Sequence, residues 1–153
     1  MELIIISGRS GSGKSVALRV VEDLGYYCVD NIPLNLLPSL VRSVSDSYNK
    51  IAVSVDVRNL PKEQQQFNEI IEYLPGFTKP TVFYLDSDDQ TLIKRFSETR
   101  RLHPLSIDSL PLDLAIKKEK QLLDVLINRA DYMIDTTDLS VHQLAESIRE
   151  KIL

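Results

Sequence analysis

Eight consecutive residues, Gly8-Arg9-Ser10-Gly11-Ser12-Gly13-Lys14-Ser15, match G-x-x-x-x-G-K-[ST] at every fixed position. The residue types suit one chemistry, the binding of a polyphosphate. Gly8 and Gly13 let the chain turn with its N–H groups aimed inward, making a nest for phosphate oxygens. Lys14 adds a point charge between the terminal phosphates, and Ser15 offers a hydroxyl to Mg²⁺. A helix opening at that point brings the positive end of its dipole to the same place. Chance would put the pattern in roughly one unrelated chain of this length in two hundred. Here the loop also follows an apolar strand directly and holds three of the five glycines in the chain.

A nucleotide·Mg²⁺ site also needs a carboxylate at the end of a neighbouring strand. Asp56 closes Ile-Ala-Val-Ser-Val-Asp and Asp86 closes Val-Phe-Tyr-Leu-Asp. Asp56 is preferred, because the third strand of a kinase-like P-loop fold usually lies beside the first, whereas Asp86 stands just before a helix start that also favours Asp. Asp30-Asn31 ends another strand, where it either faces a phosphate acceptor or makes an Asx turn into Pro33. Arg95, Arg100, Arg101 and His103 cluster in the chain. Arginine's planar fork suits phosphate oxygens, so Arg100 is a candidate to close over a transferred phosphoryl group, with a solvated basic face as the alternative. A single histidine such as His103 does not by itself argue acid–base work. His142 reads as exposed, and Lys117, Lys118 and Lys120 with Glu119 read as a solvated helix face. No N-K-x-D signature supports guanine specificity, and no zinc-ligand cluster is present.

Positioning these groups requires a parallel sheet covered by helices, since apolar β-branched runs alternate with segments of helical period. Five strands are expected, Glu2 to Ser7, Tyr26 to Asp30, Ile51 to Val57, Thr81 to Asp86 and Tyr132 to Asp135. Helical stripes run through Val16 to Leu24, Leu36 to Val44, Phe67 to Leu74 and Leu92 to Phe96. One longer helix is expected through Leu122, Leu123, Val125 and Leu126. The last helix should open on a capping box, Ser140 with Gln143. The fold class is α/β, a three-layer α/β/α P-loop domain, with strand order 2-3-1-4-5 if it is kinase-like.

With 153 residues the chain is most simply one domain. A net charge of -4 argues against a protein that coats nucleic acid, though not against a local RNA contact. Cys28 is the single cysteine, so no intrachain disulfide can form. The four-residue apolar run near the N-terminus is too short for a secretory or membrane segment, and a cytoplasmic location is expected.

The runs Ile6 to Leu18 and Glu22 to Asn31 closely resemble the RapZ family of RNase adapter proteins. Asp56 to Asn59, Thr99 to Leu105, Arg129 to Asp131 and Asp135-Thr136 fit the same family, so the resemblance covers essentially the whole chain. It implies a cytoplasmic homo-oligomer that binds ATP and GTP with Mg²⁺ and hydrolyses them weakly. ATP would sit on Gly8 to Ser15. GTP binding would involve Asp56, Val57, Arg58 and Asn59. Ser15 and Asp56 would hold the metal, with Lys14, Asp56 and Arg100 assisting turnover. The full-length adapter would present a small regulatory RNA to an endoribonuclease in amino-sugar control. RNA would bind mainly through a C-terminal domain, and this chain would be the N-terminal domain alone. A small-molecule kinase is the alternative.

Overall fold

The computed structural model describes residues 1–61, 63–99, 101–106 and 110–152. Five parallel strands, β1 (Glu2–Gly8), β2 (Tyr27–Val29), β3 (Lys50–Ser54), β4 (Lys79–Asp86) and β5 (Tyr132–Asp135), form one sheet in the order β2-β3-β1-β4-β5. The expected strand order is therefore the observed one. The sequence-expected β3 was longer. Its ladder ends at Ser54 because Asp56 leads into a 3-10 turn, Val57–Asn59, whose first amides bond locally.

The helices are α1 (Lys14–Asp23), α2 (Leu37–Val44), α3 (Gln64–Glu72), α4 (Asp89–Thr99), α5 (Leu112–Leu122), α6 (Asp124–Ile127) and α7 (Val141–Ile152). Alternate residues of β1 feed two cores, as the two-residue period of a strand requires. Leu3 and Ile5 pack with Leu37, Val41, Phe67 and Leu126 on one face. Ile4 and Ile6 pack with Ala17, Val21, Leu144 and Ile148 on the other.

Local signals placed most boundaries. Gly25, at φ 95, ends the turn after α1, and its amide bonds Glu22 O. Ser140 and Gln143 make the capping box reciprocally, at 2.8 and 3.1 Å. The single long helix expected through Leu122 to Leu126 is two. Leu123, at φ -84 and ψ -3, breaks it without a glycine or proline. The break lets Leu123, Val125 and Leu126 face one core while Glu119, a turn earlier, faces the Gly8–Ser15 loop. All five strands deliver their carboxyl ends to one edge, where β1, with its neighbours β3 and β4 on either side, marks the topological switch point.

Candidate functional site

At that edge a cavity of about 470 Å³ opens. Ser10, Gly11, Lys14 and Ser15 form its floor, Asp30, Asn31, Ser54 and Asp56 one wall, and Arg95, Phe96, Thr99, Arg101, Leu102 and Pro104 the other.

The first half of the loop is pinned. Ser12 N donates to Arg9 O at 3.0 Å, closing a turn with Gly11 at φ 88 in its third position, as a type II turn requires. Arg9 points away from the cavity. Its Nε donates to Asp86 (2.8 Å), and its two other nitrogens donate to Asp89 and to Ser87 O (2.5 Å each). Burial opposes its charge, but the hydrogen bonds to Asp89 and Asp86 outweigh that and hold the guanidinium above its ordinary pKa. Arg95 Nη1 donates to Gly11 O at 2.8 Å, and Thr136 Oγ1 to Ser12 O at 2.8 Å.

The second half is open. Among the described residues, the amides of Gly13, Lys14 and Ser15, which begin α1, find no protein acceptor. Ser12 Oγ is buried with no hydrogen-bond partner among the described residues. Lys14 Nζ is held to Gly8 O at 3.1 Å, inside the loop. Two glycines are sterically required. A Cβ on Gly8 would lie 2.2 Å from Leu85 O, and Gly13, at φ 109, would place one 2.7 Å from Leu144 Cδ2. Free amides, an orphaned hydroxyl and one lysine make a donor set that fits phosphate oxygens.

Asp56 lines the cavity and Asp86 does not. Arg58 grips Asp56 by its amide (2.8 Å), Nε (3.1 Å) and Nη2 (3.0 Å). Burial pushes the Asp56 carboxyl up, but Arg58 and the Lys14 charge pull it further down, so it stands below the ordinary carboxylate range. Three of roughly four lone-pair directions are thus taken, leaving one on Oδ2. Val57 is buried in the core, and Asn59 Nδ2 donates to Asn31 Oδ1 at 2.8 Å. Asn31 is the one described non-glycine residue at positive φ (53), and its amide bonds Ser54 Oγ at 2.8 Å while the same hydroxyl donates to Asp30. The turn 56–59 therefore braces the Asp30–Asn31 wall, and of its four residues only Asp56 lines the cavity.

Arg101 lies on the opposite wall, and Arg100 lies outside the described residues. Glu119 departs most from its sequence reading. Instead of a solvated face it is fully buried, while Lys117, Lys118 and Lys120 are exposed as expected. Its carboxylate accepts Ser10 N at 2.8 Å, Ser10 Oγ at 2.7 Å and His103 Nε2 at 3.0 Å. The signal available in the sequence was its i+3 spacing from Ile116 on an otherwise apolar stripe. No cluster of three or more His, Cys, Asp or Glu suited to a metal occurs among the described residues. Burial and the Glu22 charge push the Cys28 thiol up to about 11, which leaves it protonated and unreactive at neutral pH.

The profile of the RapZ-like N-terminal domain matches residues 1–153. The chain belongs to the RapZ-like N-terminal domain family. This RapZ-like domain is 88% identical over its whole length to a nucleotide-binding protein of Pseudoalteromonas translucida, covering 54% of that protein. It is 54% identical over 153 residues to the RNase adapter protein RapZ of Salmonella newport, again covering 54% of the relative. The chain thus spans about half the length of the curated relatives it matches. Among solved structures, shikimate kinase from Acinetobacter baumannii superposes with a TM-score of 0.64 at 16% identity, covering 98% of this chain and 92% of that one. Deoxyadenosine kinase from M. mycoides gives 0.57 at 17% identity, covering 99% and 98%. At such identities the likeness establishes the P-loop kinase fold of the RapZ-like domain and nothing about its substrate. No helix among the described residues is long and apolar enough to cross a membrane.

Proposed function

We propose that this domain binds ATP or GTP with Mg²⁺ through Gly8 to Ser15, as the nucleotide-responsive module of an RNase adapter. One observation carries the reading: the open half of the loop presents the Gly13, Lys14 and Ser15 amides and an unpartnered Ser12 hydroxyl beside Lys14. Ser15 and the remaining lone pair of Asp56 would hold Mg²⁺, which neutralises phosphate charge when bound. In the full-length adapter, nucleotide occupancy would bias the assembly that presents a small regulatory RNA to an endoribonuclease. That RNA would be held mainly by sequence outside this chain, in a cytoplasmic homo-oligomer. A ligand biases two states only through its affinity difference between them, so nucleotide affinity should change when RNA binds.

Hydrolysis should be weak, because Arg58 competes for the Asp56 carboxylate. A second reading, a small-molecule kinase, is favoured by the Asp30–Ser54 pair and Arg101, which share the cavity with the loop. Titration calorimetry with ATP·Mg²⁺ tests binding, and γ-labelled ATP with and without a metabolite extract separates the two readings. Slow release of free phosphate, independent of extract, supports the regulatory module. Label in a new small molecule makes the protein a kinase. No binding of either nucleotide at millimolar concentration overturns both.

A further inference from the structure

Three donors converge on the buried Glu119 carboxylate, and none of them belongs to its own helix. Ser10 supplies two from the phosphate loop, and His103 supplies one from the 101–106 segment, whose Arg101, Leu102 and Pro104 line the opposite cavity wall. The tautomer follows from the partners. Leu105 N donates to His103 Nδ1 at 3.0 Å, so Nδ1 carries a lone pair and the proton is on Nε2. Oε1 of Glu119 therefore accepts twice, from the Ser10 amide and from the imidazole of a neutral His103. Phe96 covers that ring with centroids 5.1 Å apart, and both His103 and Glu119 are shielded from water.

A buried carboxylate is costly unless its lone pairs are satisfied, and breaking the set is costlier than having apolar residues there from the start. The same oxygen serves the floor and one wall of one cavity. A shift of the Ser10 peptide therefore cannot leave His103 undisturbed. We propose that Glu119 is a positioning residue for nucleotide binding, a peg that sets the turn of the phosphate loop and holds the 101–106 wall in register with it. The proposal rests on the nucleotide reading above in one respect, that the cavity's ligand meets both the loop floor and the 101–106 wall.

Glutamine can reproduce all three contacts, its amide oxygen accepting from Ser10 N and His103 while its NH₂ donates to Ser10 Oγ. Alanine reproduces none. Affinity for ATP·Mg²⁺ should fall about tenfold or more in Glu119→Ala, and Glu119→Gln should recover most of that loss. The chain has two histidines, so a His142→Gln background leaves one imidazole to follow by ¹⁵N NMR. The Nε2–H signature of His103 should be present in that background and in Glu119→Gln, and absent from Glu119→Ala. Ser10→Ala should move the His103 resonance and weaken ATP binding about threefold, although residue 10 makes no hydrogen bond to the ring.

Should Glu119→Ala not fold, Ser10→Ala carries the test. A stationary His103 resonance in Ser10→Ala, or folded Glu119→Ala with unchanged ATP affinity, overturns the proposal. The resonance experiment needs no nucleotide. Failure of the unsubstituted domain to bind ATP would therefore sink the nucleotide reading, while Ser10→Ala would still decide whether the loop and the segment are linked.

Discussion

Arg9 and Arg58 each clamp an aspartate at the carboxyl edge of the sheet, but Arg9 is 2% exposed and Arg58 47%. Arg9 lies behind the loop, and its guanidinium ties β1 to the end of β4 and the start of α4 through Asp86, Ser87 and Asp89. Arg58 lies at the rim of the cavity and spends its fork on Asp56, two residues away. In the first pair a dry guanidinium makes three long-range hydrogen bonds, so deleting Arg9 loses its packing and those bonds, although Asp86, 24% exposed, can still turn to water. The second is local and its guanidinium lies in water, so its net contribution is small, and the partly sheltered Asp56 carboxylate can be passed to another cation. The same two residue types therefore do architectural work on one side of the loop and exchangeable work on the other.

The largest effect should come from breaking the architectural pair. Arg9→Met should cost about 1–3 kcal/mol in urea unfolding, whereas Arg58→Met should cost under about 1 kcal/mol. Equal losses would dissolve the contrast. Next in size, Lys14→Ala should weaken ATP binding about tenfold or more while moving the urea midpoint little, because among the described residues Nζ hydrogen-bonds only Gly8 O. A large stability loss with intact binding would mean that the open half of the loop is structural as well.

The exposed pair should show itself in acid. Asp56 has a folded pKa below its unfolded value of about 3.9, so its stabilisation is complete above that value and is lost as pH falls through the folded pKa. Asp56→Asn should therefore lower stability at neutral pH by under about 1 kcal/mol, flatten the profile below about pH 4, and match the unsubstituted domain in acid. A matching effect from Asp86→Asn in Mg²⁺ titrations of nucleotide binding would undo the assignment of the metal to Asp56. The smallest expected change sharpens the comparison most. Arg58→Met should raise apparent Mg²⁺ affinity in the presence of ATP by about two- to fivefold, because Asp56 regains its lone pairs. No change would show that Arg58 and the metal do not compete.

Much of this was legible before any coordinates. The strands were placed correctly because each is a mostly apolar run, buried on both faces in β1 and β3 though not at the edges β2 and β5, and Ser140 announced α7 because a capping box is written in four adjacent residues. The boundary at Ser54 was less legible, since Val55 and Val57 are as apolar as the strand they follow, yet Val57 serves the core from a turn. The split at Leu123 left no mark either, because core packing bent a segment whose local propensity was helical throughout.

What the sequence determined by itself is the phosphate loop, its place between a strand and a helix, and the α/β architecture around it. These depend on neighbours in the chain and on periodicity. Only the tertiary structure decided that Arg9 turns its back on the cavity, that Asp86 belongs to Arg9, and that Glu119 leaves the solvated face of α5 for Ser10. Those contacts join residues 77 and 109 positions apart. A charged residue on an amphipathic helix reads as solvated by default, and it changes meaning only when the fold brings donors to it that no local pattern contains.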